Sequence, residues 1–191
     1  MEMTTIDNRE RFEHKPLDQT QGAFWLLKIR PGLSRDGLIE CELWQDVTNT
    51  TCTCLSYVWG PDGDYQDILV NGKMFKCRRN LWDFLSIARR KYAANHEAYW
   101  IDAICIDQKS IPERNQQVAQ MGDIYSSATT VLVWLGCDEG VAQFLCVLAQ
   151  LAAEDPATAK HAKKFWYQGN PKKGRLTGYR FLTMYTGHGL G

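Results

Sequence analysis

The sequence predicts one α/β domain: a mainly parallel β-sheet flanked by helices, with an N-terminal antiparallel strand extension and a β-hairpin. Three observations carry that expectation. From Thr51 onward the pattern runs strand, hairpin, helix, strand, helix, strand, helix. Strands separated by helices pair in parallel through right-handed crossovers. Composition is ordinary for a globular chain, 45% hydrophobic and 23% charged, and 191 residues suffice to bury a core without covalent staples.

Each element follows from its own pattern. Phe24-Trp25-Leu26-Leu27-Lys28-Ile29 predicts a first strand closed by a Pro31-Gly32 turn. In Leu38–Val47, Ile39, Cys41 and Leu43 face one way and Glu40 and Glu42 the other, as in a half-buried strand. Thr51–Trp59 is a continuous apolar and β-branched run, expected as a central strand that Gly60-Pro61-Asp62-Gly63 breaks. Asn71-Gly72, set between two short apolar runs, predicts a hairpin.

Asn80 is placed to cap a helix with Leu81, Phe84, Leu85, Ala88 and Tyr92 on one face. Tyr99–Ile106 reads as a second core strand. Ser110–Ser127 reads as a helix with Val118, Met121, Tyr125 and Ala128 inward, and Thr129–Leu135 as a third core strand stopped by Gly136. Asp138 is placed to cap a last amphipathic helix through Val141, Leu145, Leu148 and Leu151. Residues 1–20 are expected as a flexible leader, 21–155 as the domain and 156–191 as an irregular or truncated tail.

Charge and cysteine usage narrow the function classes. With 22 basic and 22 acidic residues, nothing in the balance points to nucleic acid. Met1–Lys15 has no apolar signal core, and no apolar run nears the ~20 residues of a spanning helix. No membrane insertion and a cytoplasmic location are expected. Seven scattered cysteines, an odd number, fit reduced buried thiols. Cys52 and Cys54 point the same way, but zinc needs two more ligands and the four histidines have no paired spacing. Neither a metal nor a resident cofactor is expected.

Ligands of parallel sheets bind beyond the carboxyl ends of the strands. Those tips are Tyr57-Val58-Trp59-Gly60, Cys105-Ile106-Asp107-Gln108 and Trp134-Leu135-Gly136, which makes them the default site. There is no P-loop, no G-x-G-x-x-G and no Ser-His-Asp or Cys-His arrangement at motif spacing, so protease, kinase and dehydrogenase readings lack support.

Two stretches carry a family resemblance. Leu55-Ser56-Tyr57-Val58-Trp59-Gly60 resembles the L-S-Y-x-W-G motif of the fungal heterokaryon-incompatibility (HET) domain. Tyr99–Gly136 resembles that family's W-I-D-x-x-C-I-x-Q, E-R-x-x-Q-V-x-x-M, I-Y-x-x-A and V-x-V-W-L-G motifs in order and spacing. The family's R-x-W-x-x-Q-E segment has no counterpart; Tyr179-Arg180-Phe181-Leu182 comes nearest and lacks its Trp, Gln and Glu. The resemblance implies an effector of cell death between genetically different fused fungal cells, an allorecognition and innate-immunity role. It also implies a flavodoxin-like fold similar to TIR domains, some of which hydrolyse NAD.

The candidate residues each have two readings. Asp102, inside an apolar strand, is a ligand or ribose contact, or else a salt-bridge partner of Arg114 or a backbone cap. Glu113 is a catalytic carboxylate, or the fourth residue of a Ser110-x-x-Glu113 capping box with Pro112 in the first turn. Arg114 and Gln117 bind phosphates or a neighbouring loop. Trp59 beside Gly60 stacks on a ring or plugs the core, whereas Trp100 and Trp134 read as core. Tyr57 and Gln108 are polar contacts at the tips. Asp138 is a helix cap, and Glu139 is the carboxylate that TIR-type chemistry implies.

NAD would then be a substrate, cleaved through an oxocarbenium-like state that needs a positioned carboxylate, a stacking aromatic and little general acid. The competing reading is a non-enzymatic homotypic domain with Asn115, Gln116 and Gln120 on the outer face of its helix. The partners implied are a second copy of the domain and a separate sensor protein or region.

Overall fold

The computed structural model describes residues 9–18, 22–46, 52–91, 98–134 and 136, together with the backbone of 181–185. The elements run β1 (Phe24–Leu33), β2 (Ile39–Asp46), β3 (Thr53–Tyr57), β4 (Tyr65–Val70) and β5 (Lys73–Arg78), then α1 (Arg79–Lys91). β6 (Tyr99–Trp100), α2 (Asp102–Cys105), α3 (Ile111–Ser127), β7 (Thr130–Trp134) and β8 (Phe181–Tyr185) follow. All strands join one sheet in the order β5-β4-β2-β1-β6-β3-β7-β8.

The class is α/β, but the expectation of a mainly parallel sheet is corrected: the sheet is mixed. β1–β2, β1–β6, β4–β5 and β7–β8 pair antiparallel, while β2–β4, β3–β6 and β3–β7 pair in parallel. Connection length is the cause for β1–β2 and β4–β5. Short turns fold β1 onto β2 and β4 onto β5, and a short connection forces antiparallel pairing. The block β6-β3-β7, whose chain order is β3, β6, β7 with helices between, remains parallel.

The hairpin forms where Asn71-Gly72 predicts it. Both residues have positive φ, 50° and 77°, as a tight primed turn requires. Asn71 also reaches sideways: its Oδ1 accepts from Leu43 N and its Nδ2 donates to Leu43 O, both at 2.9 Å. The amide thus pairs with β2 as a peptide group would. Asn71→Ala is expected to cost about 1–3 kcal/mol, because it leaves two part-buried backbone groups unpaired and strains the turn; chemical denaturation measures it, and a loss near zero would reject the clamp.

The first strand does not stop at Pro31-Gly32. β1 continues to Leu33 with a register shift between Ile29 and Leu33. Proline lacks the N–H that a regular ladder needs, so the pair accommodates it as an irregularity. The turn comes later, where Ser34 Oγ accepts from Leu38 N at 3.0 Å.

Helices cover both faces of the sheet. Tyr99 of β6 meets Phe84 of α1, while its neighbour Trp100 meets Tyr125 of α3. Successive strand residues point to opposite faces, so α1 and α3 lie on opposite sides. α1 buries Leu81, Phe84, Leu85 and Ala88, as its periodicity predicts. Trp100 and Trp134 are fully buried, in keeping with core roles.

Three helix details differ from expectation. The run Tyr99–Ile106 is not one strand, because β6 ends at Trp100 and α2 begins at Asp102. The Asp102 carboxylate accepts from Ala103 N at 2.7 Å, and Ile101 O accepts from Cys105 N at 2.7 Å, bonds that favour a helical turn over a ladder. Ser110 does precede α3, yet it makes no side-chain cap bond, and Glu113 is buried, so no capping box forms. Val118 is 53% exposed rather than inward; α3 instead buries Gln117, three residues after Arg114, and Ile124.

The ends also carry structure. Within the expected leader, residues 9–18 pack on the domain: Arg11 bridges to Met74 of β5, and Leu17 is buried. Within the expected irregular tail, β8 pairs antiparallel with β7 from Phe181 to Tyr185. The helix anticipated over Asp138–Leu151 lies outside the described residues, as does Tyr92.

Candidate functional site

The parallel block brings two strand tips together. In the β3–β7 register Tyr57 stands beside Trp134. Two residues further on, Trp59-Gly60 and Gly136 leave the sheet at the same end, both glycines with φ near the left-handed region at 81° and 82°. Asn80, at the start of α1, fits between them. A Cβ built on Gly60 would meet Asn80 Cβ at 3.5 Å, and one on Gly136 would meet Asn80 Oδ1 at 3.4 Å. The Asn80 amide donates to Val58 O, and its Oδ1 accepts from Trp134 Nε1 at 2.8 Å. Asn80 is therefore a tie between strand tips inside the helix rather than a cap in front of it.

A second chain of bonds joins the third tip. Trp59 Nε1 donates to Asp102 Oδ2 at 2.9 Å, and Gln108 Nε2 donates to Asp102 O at 3.0 Å. The Asp102 carboxyl serves as cap for Ala103 and acceptor for Trp59; no bond to Arg114 is present among the described residues. Burial raises its pKa above the ordinary carboxylate value, partly offset by the Trp59 bond and then the Ala103 bond. Arg78, from the end of β5, lays its guanidinium over the Trp59 ring at 5.4 Å and donates to Gly60 O at 2.7 Å.

Beside these ties lies a cavity of about 500 Å³, whose lining includes none of Gly60, Asp102 and Gly136. Tyr57, Trp59 and Gln108 line it, together with Lys76 and Arg78 of β5 and Asp107 after α2. Phe12, Glu13 and His14, from the N-terminal segment, also line it. The size suits a small ligand, and aromatic rings beside cations suit one that is planar and anionic. Burial pushes the Tyr57 hydroxyl well above its ordinary range, so it stays neutral. Burial likewise pushes the lining thiol of Cys77 up to about 12, which removes it as a nucleophile near neutrality.

The other sequence-predicted residues stand apart. Gln117 is fully buried and donates to Ala23 O at 3.0 Å, fixing α3 to the start of β1. Glu113 is 4% exposed, and its Oε1 has no partner among the described residues. Glu113, Arg114 and Gln117 do not line the cavity. Glu139 lies outside the described residues. Sequence reasoning missed Arg78, Lys76 and His14, since neither a hairpin's return strand nor a leader carries a periodic signal of chemistry.

Fold and site together define a mixed-sheet α/β domain with a ligand-sized cavity at the carboxyl ends of its parallel strands. Residues 53–180 match the family model described as Heterokaryon incompatibility protein (HET), and the chain belongs to that family. It is similar to Heterokaryon incompatibility protein 6, OR allele, of Neurospora crassa, with 39% identity over 94 residues. That alignment covers 43% of this chain and 14% of the relative, so the chain spans only a small part of that protein's length. No solved structure matches. Among the described residues no helix is long and apolar enough to cross a membrane.

Proposed function

We propose that this chain is an effector of heterokaryon incompatibility that provokes cell death in the cytoplasm by hydrolysing NAD at the strand-tip cavity, in response to a separate sensor. The observation that carries this reading is the cavity itself, whose walls include the family-motif residues Tyr57, Trp59 and Gln108 and the cation Arg78. The parallel block β6-β3-β7 with intervening helices supports the likeness to TIR and flavodoxin folds, a likeness of fold that by itself assigns no chemistry.

On this reading Trp59 and Tyr57 hold the planar ends of the dinucleotide, and Arg78 and Lys76 its diphosphate. Water adds to the ribose carbon as the bond to the nicotinamide nitrogen breaks. Nicotinamide leaves neutral, ADP-ribose forms, and the water gives up one proton. A carboxylate near the developing positive charge stabilises it. Glu139, three residues beyond Gly136 in sequence, and Asp107, in the cavity lining, are the two assigned to that work. The test is nicotinamide release from NAD by the purified chain. Glu139→Gln or Asp107→Asn is expected to lower the rate about a hundredfold. Undiminished rates in both variants, or no release by the unaltered protein, would reject the catalytic reading.

A second reading has its own observation. Ile111 and Val118 are 60% and 53% exposed, and Asn115 lies exposed between them on the same stripe of α3. Such a stripe suits homotypic assembly. Of the polar residues expected there, Gln120 is instead bonded to Gln117 at 3.2 Å. Expression in fungal cells separates the readings: killing that persists in Glu139→Gln with NAD levels intact favours assembly.

A further inference from the structure

We propose that the N-terminal segment of residues 9–18 is a built wall of the ligand site, and that His14 is the residue that positions it. The inference rests on the strand-tip cavity being a site for a nucleoside diphosphate. It concerns a stretch lying wholly upstream of the family-matched residues 53–180.

The segment is anchored at both sides of the cavity. On β5, Phe12 N donates to Met74 O at 2.8 Å and Met74 N donates to Glu10 O at 2.9 Å. The Phe12 ring meets Phe75 edge-on at 6.1 Å. On α2, His14 Nε2 donates to Ile104 O at 2.8 Å, the only polarity a carbonyl allows. The imidazole also packs edge-on against Phe12 at 5.0 Å and Trp25 at 5.7 Å, with its side chain 7% exposed.

Between these anchors Phe12, Glu13 and His14 face the same cavity as Trp59 and Arg78. His14 thus both lines the cavity and ties the segment to α2. His14 Nδ1 stands 4.0 Å from Asp107 Oδ1, which places the latch beside a carboxylate of the lining. A ligand seated in that cavity therefore has the segment as a neighbour, with Phe12 offering an aromatic ring and Glu13 a charge that disfavours surplus phosphate.

The experiment uses the full chain with ADP-ribose as probe, followed by calorimetry. His14→Ala is expected to weaken binding about tenfold, with the melting temperature held as a folding control. His14→Gln, whose amide again donates to Ile104 O, is expected to recover binding to within about threefold. Glu13 is exposed, so Glu13→Gln leaves the fold alone and is expected to tighten the anion about threefold. Bound ADP-ribose is expected to slow tryptic cleavage after Arg11 and Lys15. If the unaltered chain binds ADP-ribose and His14→Ala and Glu13→Gln bind it equally well, the segment is not part of the site and the inference fails alone. If the unaltered chain does not bind ADP-ribose, the nucleotide reading falls and takes the inference with it.

Discussion

Trp134→Ala is expected to lower the unfolding free energy by about 3–5 kcal/mol, the range for deleting a fully buried aromatic. Trp134 is 1% exposed and meets Phe84 of α1 ring to ring at 6.2 Å. Its indole N–H also binds Asn80, to O at 3.0 Å and Oδ1 at 2.8 Å, so one side chain fills the core and ties a strand tip to a helix. Trp134→Phe separates the two roles. It keeps most of the apolar volume and removes the donor, and its expected cost is about 1–3 kcal/mol. Denaturant unfolding of the two variants measures both quantities. A Trp134→Phe variant as unstable as Trp134→Ala would show that the tie, not packing volume, sets the cost, and one as stable as the unaltered chain would show the reverse.

Asp102→Ala is expected to cost about 1–3 kcal/mol, because Trp59 Nε1 and Ala103 N lose the carboxylate that accepts from both. Asp102→Asn tests the charge separately. Burial raises the folded-state pKa of Asp102 above its ordinary value of 3.8, so folding favours the protonated acid. The stability linked to that protonation is full below the ordinary value and is lost as pH rises through the raised one. Asparagine stays neutral throughout. The stability of Asp102→Asn relative to the unaltered chain is therefore expected to improve as pH climbs from below 3.8 through the raised value. Other carboxylates titrate alike in both chains and cancel in the difference. A difference that stays flat, or turns against asparagine, would mean the carboxyl is not destabilised by burial.

Much of the site was legible because its parts sit on strong local signals. Thr51–Trp59 and Thr129–Leu135 are dense β-branched runs, each ended by a glycine that folding leaves at positive φ. Their parallel pairing follows from the helices between them, and it carries Trp59 and Gly136 to one end without further information. Gln108 arrives by another route. Asp102 turns the chain into α2, yet the loop after it still returns Gln108 to Asp102 and so to Trp59. The tip ended at the expected place because Asp102, whose carboxyl turns the strand into α2, also anchors the loop through its carbonyl.

The sequence by itself determined the α/β class, the family, the Asn71-Gly72 hairpin, the inner stripe of α1 and the strand tips. All of these follow from periodicity, turn chemistry or ordered motifs within a few residues of one another. Only the tertiary structure decided that the sheet is mixed, that Glu113 and Gln117 are buried away from the cavity, and that Phe12, His14 and Arg78 wall it. Those outcomes depend on which distant surfaces meet: His14 bonds a carbonyl ninety residues away. No local pattern encodes such a contact, because its energy exists only once both partners have left water together.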